Sequence, residues 1–327
     1  MVKEYLRKVV FAIVALAFFI VPWAVPQVRN YAPGVAVIAG IIFAVSWGNP
    51  FAGLTGKFSS TLLGLAIVGM GAGMNLDKVL AAGLNGFVYT FIGIALGLGL
   101  GSLLGKRLKI DKNCSWLVSV GTSICGGSAI AAAAPALKAK AGDVALASAT
   151  VFTLNAVALL IFPWIGKMLN FSQTEFGYFA ALAIHDTSSV VGATFQYGEE
   201  ALEIGTTVKL ARALWIVPVT LFIATFVADK EEDGEKRKFK LKVPWFIPGF
   251  LIAAAIVTYL PCTAAVGGFF KEISKYLMVF TLFIIGANLS REKLKELGIR
   301  PLIHGVLLWL ILSTVWCLAI YFDWVKG

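Results

Sequence analysis

Apolar runs separated by short polar or basic turns dominate the chain. Taking about 20 apolar residues as one bilayer crossing, eleven segments can be read at approximately 8–26, 33–48, 57–75, 84–105, 115–137, 142–166, 175–198, 205–228, 245–262, 272–289 and 301–323. The second is short, which leaves open that a segment is re-entrant. No stretch between them is long or polar enough for a soluble domain. The expected fold is an all-α integral membrane protein of ten or eleven transmembrane helices, a single polytopic membrane domain over residues 1–327.

Three interruptions of the apolar pattern carry candidate chemistry. In GTSICGGSAIAAAAP, Gly121 to Pro135, the adjacent Gly126 and Gly127 lie near mid-segment beside Ser123, Cys125, Ser128 and Ala129. Each glycine weakens a helix by about 1 kcal/mol relative to alanine, and freed backbone groups cannot face hydrocarbon. Two readings stand: a helix broken around a substrate site, as in secondary transporters, or a small-residue seam for helix packing. AIHDTSSVVGAT places His185 and Asp186 near mid-depth of the seventh segment, with Thr187, Ser188 and Ser189 following. A carboxylate there costs about 2.5–3.5 kcal/mol on insertion scales and must face protein or water. The pair reads as proton-coupling residues or as a structural bridge between helices. In TTVKLARALWIVP, Lys209 and Arg212 share one helical face. They read as an anion site, with snorkelling to headgroups the alternative for Lys209 and pairing with Asp186 the alternative for Arg212. Asn75, Asn155 and Asn288 are weaker candidates, since membrane asparagines commonly bond a neighbouring helix. His304 reads as interfacial.

Composition agrees with the pattern: 59% of the 327 residues are hydrophobic, 14% are charged, and mean hydropathy is +0.85. The net charge of +10 does not indicate nucleic acid, because most of the basic residues fall in short loops between apolar segments. Cys114, Cys125, Cys262 and Cys317 have neither disulfide nor metal spacing, and no metal or cofactor is expected. The basic, then apolar, N-terminus lacks a small-residue cleavage site and reads as a retained first span.

Basic loops at 105–113, 229–243 and 290–300 fall on one side if the N-terminus is cytoplasmic and all eleven segments cross, which puts Gly327 outside. GMNLDKVLAAG from Gly73 and GANLSREKLKELG from Gly286 both leave an apolar segment through G-x-N-L, on opposite sides in this topology. An inverted repeat of two five-helix units, about 33–166 and 175–323, behind a leading helix at 8–26, is the expected organisation. The fifth and seventh segments nonetheless run in the same direction, contrary to a simple crossing of two inverted broken helices.

SICGGSAIAAAAP, AIHDTSSVVGATFQYG and VKLARALWIVP, in this order and spacing, resemble the YeiH-type sulfate exporter family. The resemblance implies a bacterial or archaeal inner-membrane protein of about ten helices. It also implies a distant relation to the cation/proton antiporter and anion transporter superfamily, whose discontinuous helices meet near the bilayer midplane. Taken with the residues, it implies a secondary transporter, in the export direction, of sulfate, sulfite or an organosulfonate. Ser123, Cys125, Gly126, Gly127, Ser128, Ala129, Thr187, Ser188, Ser189, Lys209 and Arg212 would contact the anion, while His185 and Asp186 would couple protons. The partners are the anion, H+ and the bilayer, with homodimerisation open. An anion channel and an intramembrane enzyme using a serine with His185 and Asp186 are the alternatives; no ATP-binding loop or nucleophile elbow is present.

Overall fold

The structure is a computed structural model that describes residues 2–25, 28, 32–227, 244–288 and 298–325. The basic segments 229–243 and 290–297, and Gly327, which carry much of the topology expectation, lie outside the described residues. Among the described residues every regular element is a helix, as backbone in lipid requires unless it closes a barrel. The helices are α1 (Val2–Ala24), α2 (Ala32–Ser46), α3 (Ala52–Gly71), α4 (Leu76–Arg107), α5 (Lys112–Ser123), α6 (Gly127–Leu137), α7 (Ala141–Met168), α8 (Gln173–Ala183), α9 (Thr187–Tyr197), α10 (Glu199–Ala213), α11 (Ile216–Phe222), α12 (Phe246–Tyr259), α13 (Ala264–Ala287) and α14 (Ile299–Tyr321). Each apolar segment read from the sequence falls on one of these or on a consecutive pair. Among the described residues, five helical stretches suffice by length and composition to cross a bilayer, one of them Glu199–Val227 through α10 and α11, and a sixth if the pair around Leu260, bent by 110°, is one span. The remaining segments are shorter apolar helices or broken ones.

The chain divides into two compact units, neither contiguous in sequence. The first comprises Met1–Ala81, Val191–Glu203 and Pro244–Lys295. Here α13 packs on α1, α2 and α3. Its crossing with α2 is glycine on glycine: a Cβ at Gly40 would lie 2.2 Å from the Phe283 carbonyl, and one at Gly286 would lie 2.4 Å from that of Val37. α13 starts well before the expected residue 272. Lys271, just outside the expected segment, and Lys275, in its first turn, are held on the helix by Glu199, Glu203 and Glu272 at 2.7–3.2 Å. The two G-x-N-L exits serve different ends. Asn75 caps α4 through Asp77 N and Lys78 N, whereas Asn288 Oδ1 accepts from Asn49 Nδ2 and Thr55 Oγ1.

The second unit comprises Ala82–Val190, Ile204–Val243 and Glu296–Gly327. α4 and α5 meet along a ladder of small residues, with Cβ atoms at Gly97, Gly101 and Gly105 all falling within 2.1 Å of Ser123, Ser119 and Ser115 Oγ. Such contacts replace the hydrophobic driving force that is missing between helices in lipid. α5, α7 and α8 pack on α14, and His304 Nε2 lies 2.9 Å from the Gly101 carbonyl. His304 is fully buried within the protein.

Candidate functional site

Both suspect segments are broken helices, and both breaks lie within the second unit. The first runs through Ile124, Cys125 and Gly126 between α5 and α6. Gly126 has φ 67° and ψ −129°, a conformation open in practice only to glycine. Thus the sequence reading of a break holds, although a seam is present too: a Cβ at Gly121 would press on Ile130 and Val151. The second break runs through Ile184, His185 and Asp186 between α8 and α9. α8 is started by a Ser172–Glu175 capping box and leaves its last residues through extended backbone at Ile184. The two breaks adjoin, since a Cβ on Gly126 would lie 3.3 Å from Asp186 Cβ.

Breaking a helix strands carbonyls at the end of its first half, and here nearly all of them converge on α10. Arg212 Nε donates to the Ser123 carbonyl at 2.8 Å, and Nη2 to those of Thr122, at 3.2 Å, and Ser123. On the α8 side, Nη1 donates to the carbonyls of Ala181 and Leu182 at 2.9 and 2.7 Å. Lys209 Nζ bridges the breaks themselves, donating to the carbonyls of Ile124 at 3.0 Å and Ile184 at 2.7 Å. Trp309 Nε1 takes the Ala183 carbonyl at 3.2 Å. The α-amides of the second break are met from α7: Asn155 Oδ1 accepts from both His185 N and Asp186 N at 3.1 Å.

This geometry revises the roles read from the sequence. Arg212 is 2% exposed and Lys209 fully buried, so Lys209 does not snorkel. With five bonds from its five N–H groups, Arg212 has no donor left for an anion, and neither cation forms an ion pair with Asp186 among the described residues. Ser123 spends its carbonyl on Arg212 and directs its hydroxyl at Gly97. Cys125, Ala129, Thr187, Ser188 and Ser189 are buried. The accessible positions at the junction are Gly127, half-buried, Ser128, exposed, and Asp186, part-buried. His185 is 2% exposed, and both its ring nitrogens lack a hydrogen-bond partner.

The electrostatics follow from the four half-helix ends, each worth about half an elementary charge at low screening. The negative C-terminal ends of α5 and α8 face Arg212 and Lys209. The positive N-terminal end of α9 is capped by the Asp186 carboxylate, which accepts from Ser188 N at 3.0 Å and from Ser188 Oγ. The N-terminal end of α6 is bare: its cap residue is Gly126, with no side chain to offer, and among the described residues no side chain accepts from Gly127 or Ser128. Two basic side chains and one carboxylate thus stand beside an uncapped and accessible helix N-terminus.

An all-helical, multi-pass membrane protein with two adjoining helix breaks is thus defined by fold and site. The chain belongs to the family described as Conserved hypothetical protein 698, whose model matches residues 8–305. Among its relatives, a UPF0324 membrane protein of Bdellovibrio bacteriovorus is 50% identical over 325 residues, 99% of this chain and 97% of that protein. Another from Geobacter sulfurreducens is 45% identical, covering 98% of each chain, and one from Bacteroides thetaiotaomicron is 43% identical over 94% and 93%. No solved structure matches.

Proposed function

We propose that the protein is a secondary transporter of a small anion, bound at the bare N-terminus of α6 where the two helix breaks adjoin. The observation that carries this reading is the imbalance of the four half-helix ends: three face a side chain of opposite charge, and the fourth, exposed at Gly127 and Ser128, faces none. A helix N-terminus with free amides favours an anion, and the excess of buried cations adds to it. Lys209 and Arg212 act on the anion through their field, while their hydrogen bonds hold the breaks open. In agreement with the resemblance to YeiH-type exporters, the cargo class is sulfate, sulfite or an organosulfonate. Asp186 is the accessible titratable group of the junction, so its protonation raises the local positive charge and links proton uptake to anion binding, each favouring the other.

Purified protein titrated with sulfate, sulfite, thiosulfate, taurine and small carboxylates tests this reading by thermal unfolding, since a ligand of the native state raises apparent stability with its concentration. At least one anion is expected to do so saturably. A flat response to all of them, with chloride and sodium controls, overturns the proposal.

A further inference from the structure

We infer that Asn155 is a ligand-contacting residue of this anion site, and that it selects an oxyanion with two or more acceptor oxygens over a halide. The inference rests on the anion reading above. Asn155 lies on α7 and is 3% exposed. Its amide cannot be turned round: Oδ1 accepts from two backbone N–H groups, His185 N and Asp186 N, and an NH2 group in its place has no lone pair to offer them. The NH2 group is therefore fixed facing away from those amides, and it has no partner. Buried donors are almost always satisfied, and an exception calls for a group that takes it.

Its position says which group. Asn155 bonds the backbone of Asp186, whose Cβ packs on Gly126, the cap residue of the bare α6 end. The same neighbourhood holds the His185 ring, unpartnered at both nitrogens, its centroid 6.4 Å from that of Trp309. A donor fixed near the positive N-terminal end of α6, with Lys209 on the carbonyls of the same two breaks, suits an acceptor and repels a cation. A halide is a single point of charge, whereas an oxyanion can give one oxygen to the α6 amides and another to Asn155.

Asn155→Asp keeps an oxygen for both backbone amides, removes the NH2 donor and adds a charge; Asn155→Leu matches the shape without charge and removes the donor, leaving the two amides without their acceptor. Thermal-shift titrations with sulfate, sulfite and chloride are run on wild type and both variants. Wild type is expected to bind an oxyanion at least tenfold more tightly than chloride, and both variants to lose most of that preference. If wild type binds neither these nor any other anion of the panel above, the functional reading itself falls. If wild type prefers an oxyanion and both variants keep the preference, the Asn155 amide holds only water and the inference is wrong. Should neither variant fold, hydrogen exchange on wild type decides. The oxyanion is expected to slow exchange at His185 and Asp186 as well as at 127–130, and slowing confined to 127–130 contradicts the assignment.

Discussion

Replacing Arg212 with methionine removes one side chain and strands backbone in two helices at once. Four carbonyls, those of Thr122, Ser123, Ala181 and Leu182, lose their donor. A buried acceptor left without a partner costs about 1–3 kcal/mol, so the four together cost about 4–12 kcal/mol by the same scale. That is comparable to the whole stability of a typical folded protein, about 5–15 kcal/mol. Lysine keeps the charge but has three donors and no fork, so at least one carbonyl stays bare, a cost of about 1–3 kcal/mol or more. The assay is thermal unfolding of the purified variants with hydrogen exchange over 120–126 and 180–186. Arg212→Met is expected to yield little folded protein, and Arg212→Lys to unfold earlier with faster exchange at both breaks together. An Arg212→Met protein with wild-type unfolding and exchange would refute the capping role and return Arg212 to direct anion binding.

Gly127→Leu should insert normally yet abolish transport, because a Cβ there already comes 2.8 Å from Phe152 Cζ and a longer side chain covers the α6 N-terminus; wild-type flux in a vesicle assay would move the anion elsewhere. Along α4, Gly101→Val should prevent accumulation of folded protein while Gly99→Val is tolerated, since a Cβ meets Ser119 Oγ at 2.1 Å at the first position and nothing within 4 Å at the second. Equal yields of the two variants would contradict the α4–α5 ladder. Asp186→Asn is expected to bind anion with its pH dependence removed, and the buried His185→Gln to keep the wild-type profile between about pH 5.5 and 8, a range bracketing the imidazole reference value. The reverse outcome would assign the coupling to His185.

The places of the helix breaks are legible because glycine pairs and mid-segment charges are local signals. Gly126 and Gly127 mark one break directly, whereas His185 with Asp186 marks the other only as an ionisable pair at mid-segment, and the interruption of the helix there is seen in the structure alone. What each residue bonds to was not legible. Lys209 and Arg212 looked like anion ligands because the carbonyls that occupy them belong to helices about 25–90 residues earlier in the chain. Asn155 reads only as a weaker candidate for the same reason: an asparagine among alanines and leucines reads as an interhelical bond, and only the fold reveals that its target is the backbone of a break. The Gly97, Gly101, Gly105 and Ser115, Ser119, Ser123 ladder did carry a signal, a spacing of four on both sides, which marks one face of each helix. The early start of α13 is hidden because Lys271 looks like loop until Glu199 and Glu203 are placed beside it.

The central claim is carriage of an anion by exchange, and counterflow in proteoliposomes tests it most directly. Vesicles containing the purified protein are loaded with unlabelled sulfate or sulfite and diluted into a trace of the labelled anion. Transient, saturable accumulation of label is expected, abolished by Gly127→Leu and faster when the external pH is lowered. Absence of counterflow for every anion that binds, or ion currents far above carrier turnover, would contradict the account.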